Sequence, residues 1–135
     1  MSLVVPDTAE VRILQSFLTL PLTLRLYSNN YTPIATSLAA SFTEVAGGGY
    51  VSKALTFANW TITANAPSLA VYPLLSWVFT GVTNAPAVVY GYFVTRDSDG
   101  LLMYAERFAP AIVPITPVGN TIIQLIPQFS AGSLF

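Results

Sequence analysis

The sequence predicts an all-β protein, an antiparallel β-sandwich or barrel of about seven or eight short strands with one short helix near its N-terminus. Three observations support this class. Apolar and polar residues alternate in short segments along most of the chain, turn-forming residues separate these segments at roughly regular spacing, and a helical period occurs only before residue 19. The 135 residues have no internal repeat and no linker, so we expect a single domain over residues 1–135.

The helical period covers residues 7–18. Its apolar face consists of Val11, Leu14, Phe17 and Leu18. Asp7 is the expected N-cap, and Glu10 follows it at the spacing of a capping box. We expect this helix to cover one end of the sheet, and the alternative is an arm that docks on a neighbouring subunit.

The strand pattern continues from there to near the end of the chain. Strands are expected at residues 20–27, 41–45, 50–57, 59–64, 74–80, 88–95, 101–108 and 121–126, before a tail over 128–135. The glycines at 47–49 predict a flexible or positive-φ connection. The strongest hairpin signal is the Asp-Gly-type turn at 97–100, so we expect the hairpin 88–108 to be the structural centre, with Phe93 and Phe108 buried.

The chain is unusually poor in charge. Only 8% of its residues are charged, against about a quarter in ordinary soluble proteins, while 53% are hydrophobic and the mean hydropathy is +0.62. Eleven charges cannot supply the surface of a lone monomer, where about 25–35% of residues are usually charged. Either partners cover much of the surface or Ser, Thr and Asn coat it, and we expect a homo-oligomer.

Composition also excludes several classes of function. No stretch reaches the roughly 18 consecutive apolar residues of a membrane helix, and Asp7 and Glu10 stand where a signal peptide would be apolar, so we expect no membrane partner. The net charge of −1, without a basic run, argues against nucleic acid. The chain lacks both Cys and His, the usual zinc ligands, and His is also the commonest general base. We therefore expect no metal, no cofactor and no enzymatic activity.

The acidic residues give two weak chemical signals. Asp97-Ser98-Asp99-Gly100 matches the opening of a calcium loop but lacks the third oxygen ligand and the closing Glu, so a tight turn is the better interpretation. A glycosidase needs two converging carboxylates, and nothing in the spacing of Glu44, Glu106, Asp97 and Asp99 brings two of them together. We therefore expect no catalytic residues.

Aromatic residues and one charged pair form the candidate interface. Tyr31 and Tyr50 stand next to turn residues and are expected to be exposed. Glu106 and Arg107 point to opposite faces of their strand, so one of the two lies among aromatic residues. A cross-strand ion pair of Glu106 with Arg96 or Arg25 is preferred over a catalytic role. The candidate interface residues are Tyr31, Tyr50, Tyr92, Tyr104, Glu106 and Arg107.

Three segments together resemble a group of small structural proteins encoded by tailed bacteriophages. They are residues 22–33 (LTLRLYSNNYTP), residues 49–55 (GYVSKAL) followed by Trp60, and residues 89–95 (VYGYFVT) leading to 104–108 (YAERF). The resemblance implies a β-rich, non-enzymatic virion component of the head or tail. Its partners would be copies of itself and other virion proteins.

A second function class remains open at this point. Exposed aromatic residues would also suit a receptor- or carbohydrate-binding module of a phage tail, which would contact a host surface receptor or glycan. Many copies along the particle would favour the structural role, and a few copies at a tail tip would favour the binding module.

Overall fold

The computed structural model describes residues 4–64, 67–109, 113–115 and 121–130. Within them the chain forms one α-helix, α1 (Asp7–Leu18), two short 3-10 turns (Ala39–Ser41 and Phe57–Asn59) and eleven strands in antiparallel sheets. The strands are β1 (Leu22–Tyr27), β2 (Lys53–Leu55), β3 (Thr61–Thr63), β4 (Leu69–Val71), β5 (Leu75–Phe79), β6 (Val88–Val89), β7 (Gly91–Arg96), β8 (Leu102–Arg107), β9 (Val113–Pro114), β10 (Thr121–Leu125) and β11 (Gln128–Ser130). The predicted all-β class with one N-terminal helix is confirmed.

The largest sheet has the strand order β2-β1-β7-β8. β1 and β7 are its two inner strands and pair over six residues each, from Leu22 opposite Arg96 to Tyr27 opposite Gly91. The predicted hairpin forms, with β7 pairing antiparallel to β8 across the turn. Because β8 is an edge strand, only the first half of that hairpin lies at the centre of the sheet, and the predicted central position is wrong for the second half.

The main core lies between the inner face of this sheet and the smaller sheets. Alternate residues of β1 (Leu22, Leu24 and Leu26) point into it, as period-two alternation requires. Trp77 and Phe79 of β5 and Ile123 of β10 face them from the second layer. The layers β10-β5 and β11-β4-β3 thus complete a sandwich around one apolar interior.

The other face of the large sheet is covered as well. Tyr27, Phe42 and Phe93 form a separate buried cluster, which we call the loop core, beneath the segment that connects β1 to β2. Phe42 stacks on Phe93 with 4.8 Å between ring centroids and an interplanar angle of 8°. The loop is held by Asn29, which donates to the Ser41 carbonyl and accepts from the Thr43 backbone N–H. Five successive residues of β7 are therefore buried, because the sheet has apolar cover on both sides.

Helix α1 packs on the main core through Leu18 and on a separate cluster with Phe129 through Leu14, and both leucines are fully buried, as its predicted apolar face requires. The predicted cap is wrong. Pro6 occupies the N-cap position, and no side-chain hydrogen bond caps the helix, because Asp7 is already its first helical residue. Glu10 instead accepts hydrogen bonds from the backbone N–H and the hydroxyl of Ser68, which ties the helix to the start of β4.

The structure differs from the predicted strands in several further places. The strands expected at 50–57 and 59–64 are reduced to β2 and β3, on either side of the Phe57–Asn59 turn. Residues 41–45 form no strand: a 3-10 turn occupies Ala39–Ser41, and only an isolated bridge links Glu44 to Tyr27. Phe42 does not belong to a strand, because its ring packs in the loop core. In contrast, Leu69–Val71 and Gln128–Ser130 do form strands and pair with each other, although neither was predicted.

Two sets of glycines determine local geometry. Gly47, Gly48 and Gly49 all have positive φ, between 63° and 82°, which confirms the predicted connection. Gly91 has no such φ but lies against the ring of Tyr27 on the neighbouring strand, and a Cβ there would come within 2.8 Å of that ring. The missing side chain at Gly91 is what allows Tyr27 to lie flat across the sheet.

Candidate interaction surfaces

The predicted interface residues of the hairpin lie mostly inside the protein. Tyr92 is buried, packs edge-on against Tyr104 and donates a hydrogen bond of 2.8 Å to the exposed carboxylate of Glu106. The Tyr104 hydroxyl is buried and has no hydrogen-bond partner among the described residues. Burial raises the pKa of Tyr92 and of Tyr104 above the ordinary tyrosine value. The two tyrosines therefore serve packing, and only Glu106 is available to a partner.

Arg107 and Tyr31 flank the loop core. The Arg107 guanidinium lies 5.1 Å from the ring centroid of Tyr90 and donates to the Asn30 side-chain oxygen at 2.9 Å. Tyr31 is half-buried rather than exposed, because its ring packs edge-on against Phe42 and its hydroxyl bonds Ser37. Arg107 and Tyr31 thus hold the loop against the sheet.

Tyr50 lies apart from the other candidates and is also half-buried, against the prediction. Its hydroxyl accepts from the Leu26 backbone N–H and donates to Glu44. Glu44 in turn forms an ion pair of 3.0 Å with Arg25, which also donates to Thr95. Burial raises the pKa of Tyr50, so the hydroxyl stays protonated as a donor. This polar network fixes the segment before β2 to the central sheet.

The charged partners expected for Glu106 are engaged elsewhere. Arg25 pairs with Glu44, and Arg96 pairs with Asp99 within the hairpin turn, so the expected cross-strand ion pair of Glu106 is absent from the described residues. The Arg96 guanidinium and the Leu101 backbone N–H lower the pKa of Asp99 to about 2. The sequence 97–100 is therefore a turn, with Gly100 at φ 72° as a positive-φ position requires.

The acidic side chains are dispersed over different local partners. Asp97 accepts a hydrogen bond of 2.6 Å from Thr23, while Glu44, Glu106 and Asp99 are bound as described above. Within the described part of the chain, no three His, Cys, Asp or Glu residues cluster to suit a metal ion. The arrangement favours structural roles for all four carboxylates.

Sequence reasoning missed an uncharged and largely apolar surface, which we call the ribbon face. It is the outward side of the two-stranded β5–β10 sheet, where Val78 lies directly opposite Ile122. Leu74 and Ile126 flank the paired residues on the same side, and these four side chains are each between 46% and 57% exposed. Ser76 and Gln124 complete the face, so it carries no charge. The signal was present in the sequence, since Leu74 and Val78, on the face opposite Trp77, are themselves apolar.

The ribbon face contrasts with the open edge at β8. There the register shifts after Val94, so that Met103 bulges out of the pairing, and Glu106 places a charge beside the edge. A bulge and a charge are the usual means by which an edge strand avoids pairing with other chains. The ribbon strands β5 and β10 contain neither charge nor proline, so they lack such protection against association with other chains.

None of the helices within the described ranges is both long and apolar enough to cross a membrane. Comparisons of this chain with protein-family models, curated proteins and solved structures found no match.

Proposed function

We propose that this protein is a non-enzymatic structural subunit of a bacteriophage particle that assembles with copies of itself and with other virion proteins. The observation that carries the assembly role is the uncharged ribbon face. The phage context rests on the sequence resemblance of residues 22–33, 49–55 with Trp60, 89–95 and 104–108.

The ribbon face is poorly suited to permanent contact with water. Its four large aliphatic side chains are exposed on one side of the ribbon: Val78 and Ile122 form a cross-strand pair at one end, Leu74 and Ile126 lie at the other, and the uncharged Ser76 and Gln124 lie between them. Soluble monomers rarely expose several large aliphatic side chains on one uncharged face, and apolar surfaces of this kind often mark interaction sites. Burial of these side chains on a partner would stabilise the complex by about 25 cal/mol per Å² of apolar surface removed from water.

The polar residues support a structural role as well. The ion pair of Arg25 with Glu44, the Arg96–Asp99 pair and the Tyr92–Glu106 hydrogen bond each join neighbouring segments of the chain. A catalytic pair would instead leave two titratable groups converging on an open cleft. The few charges of this chain thus stabilise the fold that presents the ribbon face.

The test is the mass of the purified protein in light scattering at micromolar concentration, for the wild type and for Ile122→Asp. We expect a wild-type oligomer, because the ribbon face pairs with a second copy. We expect Ile122→Asp to be monomeric at 14.5 kDa, since an unpaired charge in an apolar contact costs several kcal/mol, or about a hundredfold or more in the dissociation constant.

Leu101→Asp is the matched control. Leu101 is 48% exposed, a fraction similar to that of the ribbon-face residues, but it lies at the hairpin turn outside the ribbon face. It should leave the oligomer unchanged, and circular dichroism should show all three proteins folded. A wild type that is already monomeric, or an oligomer that survives Ile122→Asp, would refute assembly through this face.

A further inference from the structure

A polar stripe runs along α1 next to its buried face. Thr8, Arg12, Gln15, Ser16 and Thr19 are spaced so that they fall on one side of a helix, with Thr19 at its C-terminal cap. A stripe of this composition usually faces open water. Here it faces Phe57 and Ala64 across a groove, so the side chains form one wall of a cleft.

The groove consists of three adjoining cavities. The first has a volume of about 410 Å³ and shares Arg12 and Gln15 with the second, of about 340 Å³. The second shares Thr19 and Phe57 with the third, of about 300 Å³, which reaches Asp97. From Thr8 to Thr19 the helix alone spans about 16 Å at 1.5 Å per residue. The groove therefore has the length of an extended chain of several small units rather than of a single small molecule.

Rigid elements hold both walls. Leu14 and Leu18 anchor α1 in the core, and Glu10 ties it to Ser68. On the opposite wall, the 3-10 turn that carries Phe57 is fixed by Tyr72, whose hydroxyl accepts hydrogen bonds from the Thr56 backbone N–H and from the Asn59 side chain. A site on such elements is preorganised, so little conformational entropy is lost when a ligand binds.

The lining selects the ligand chemistry. Among the described residues that line the middle cavity, Phe57 is the one apolar side chain and is 39% exposed, while the others carry hydroxyl, amide or guanidinium groups. Arg12 lies within ion-pair distance of no carboxylate among the residues that the structure describes, so its guanidinium is available for two parallel hydrogen bonds to an anion. In this middle cavity an apolar peptide would find one hydrophobic contact, whereas a sugar can place its C–H face on the ring and its hydroxyls on the polar stripe. The other apolar lining residues lie at the two ends of the groove: Val11 and Ala64 at one, and Leu20, Pro21, Leu22, Ala54 and Leu55 at the other.

We propose that this groove binds a short acidic oligosaccharide, with Phe57 beneath one sugar ring and Arg12 on a carboxylate. Gln15 and Ser16 lie between these two anchors and hydrogen-bond the hydroxyls of the bound chain. The groove contains none of the ribbon-face residues, so this binding activity is independent of the assembly role proposed above and stands or falls separately.

The test is a binding measurement on the full-length protein with defined oligosaccharides. The probes are sialyllactose, trigalacturonate and a hyaluronan tetrasaccharide, with neutral lactose and maltotriose for comparison and an unstructured peptide of mixed sequence as a second ligand class. We expect at least one acidic probe to bind in titration calorimetry, and the amide resonances of α1 and of the Phe57–Asn59 turn to shift on binding.

Two variants and two controls locate the site. Phe57→Ala should weaken binding of the acidic probe at least tenfold, and Arg12→Gln should remove the preference for acidic over neutral sugars. Lys53→Gln changes a cation that lies over Trp77 outside the groove, and Leu101→Ala removes an exposed side chain at the hairpin turn; both should bind as the wild type does.

Several results would overturn the proposal: binding of no sugar probe at millimolar concentration, binding of the peptide alone, or affinities unchanged by both groove variants. All four substitutions are at partly or fully exposed positions, and circular dichroism verifies that each variant is folded. Light scattering of Arg12→Gln should show the wild-type oligomer, so a failure here leaves the assembly role untouched.

Discussion

Replacing Phe93 with Ala tests whether the segment between β1 and β2 forms a true second core. Phe93 is 4% exposed, stacks on Phe42 and lies 6.4 Å from the ring centroid of Tyr27. The substitution removes the ring that joins the central strand β7 to the loop. If the loop core were only loosely packed on the sheet, the substitution would lower the free energy of unfolding only slightly.

The expected cost follows from burial and stacking. Truncation of a fully buried Phe to Ala costs about 3–5 kcal/mol, through lost transfer energy and the cavity left behind. Aromatic pairs contribute about 0.5–1.5 kcal/mol beyond their buried area. One wall of the loop core is a loop held by Asn29 and Tyr31, which can move partly into the cavity, so we expect a loss of about 3 kcal/mol for Phe93→Ala. That is a large share of the roughly 5–15 kcal/mol that stabilises a typical domain.

Urea unfolding followed by tryptophan fluorescence measures this loss as a shift of the midpoint at constant slope. Phe57→Ala is the matched control, because Phe57 is partly exposed and should change the free energy of unfolding by about 1 kcal/mol or less. A double mutant of Phe42 and Phe93 should lose less than the sum of the two single losses, since the rings share one contact. A loss below about 1 kcal/mol for Phe93→Ala would refute the second core.

Two further predictions concern single positions in the β7–β8 hairpin. Gly91→Ala should cost about 2 kcal/mol or more in denaturant unfolding, because the added Cβ would overlap the Glu106 carbonyl oxygen and meet the Tyr27 ring at 2.8 Å; unchanged stability would mean that this close approach does not exist. Asp99→Asn should lower stability at pH 7 and much less at pH 2. The folded pKa of Asp99 lies at about 2, below its ordinary value of 3.8, so its contribution is present above pH 3.8 and is lost as the pH falls through about 2. Unfolding midpoints at the two pH values measure the difference, and equal effects of Asp99→Asn at both would contradict the pairing with Arg96.

Local periodicity predicted much of the fold because it is strong where one face alone is buried. The helix 7–18 has the predicted bounds, since its apolar residues recur at helical spacing and Leu14 and Leu18 are fully buried. β1 and β5 follow their alternation for the same reason. The strands at Leu69–Val71 and Gln128–Ser130 escaped prediction because three residues are too few to establish a period, and their pairing depends on distant parts of the chain.

The site was less predictable because alternation does not reveal what covers the second face of a sheet. Tyr92 and Phe93 are adjacent and both buried, which happens only because the loop core covers the side opposite the main core. The loop partners of Tyr31 and the hydroxyl contacts of Tyr50 with Leu26 and Glu44 likewise depend on tertiary structure. Proximity to a turn in the sequence is therefore a weak indicator that a tyrosine is exposed.

The proposed role requires a bacteriophage whose genome carries this sequence, and its most direct test is quantitative mass spectrometry of purified particles of such a phage, combined with chemical cross-linking. We predict that the protein is present in many copies per particle. We also predict that a photoreactive group introduced at Val78, within the ribbon face, cross-links to a second copy or to another virion protein, while the same group at Leu101 does not. Absence of the protein from purified particles, or cross-linking at Leu101 but not at Val78, would contradict the account.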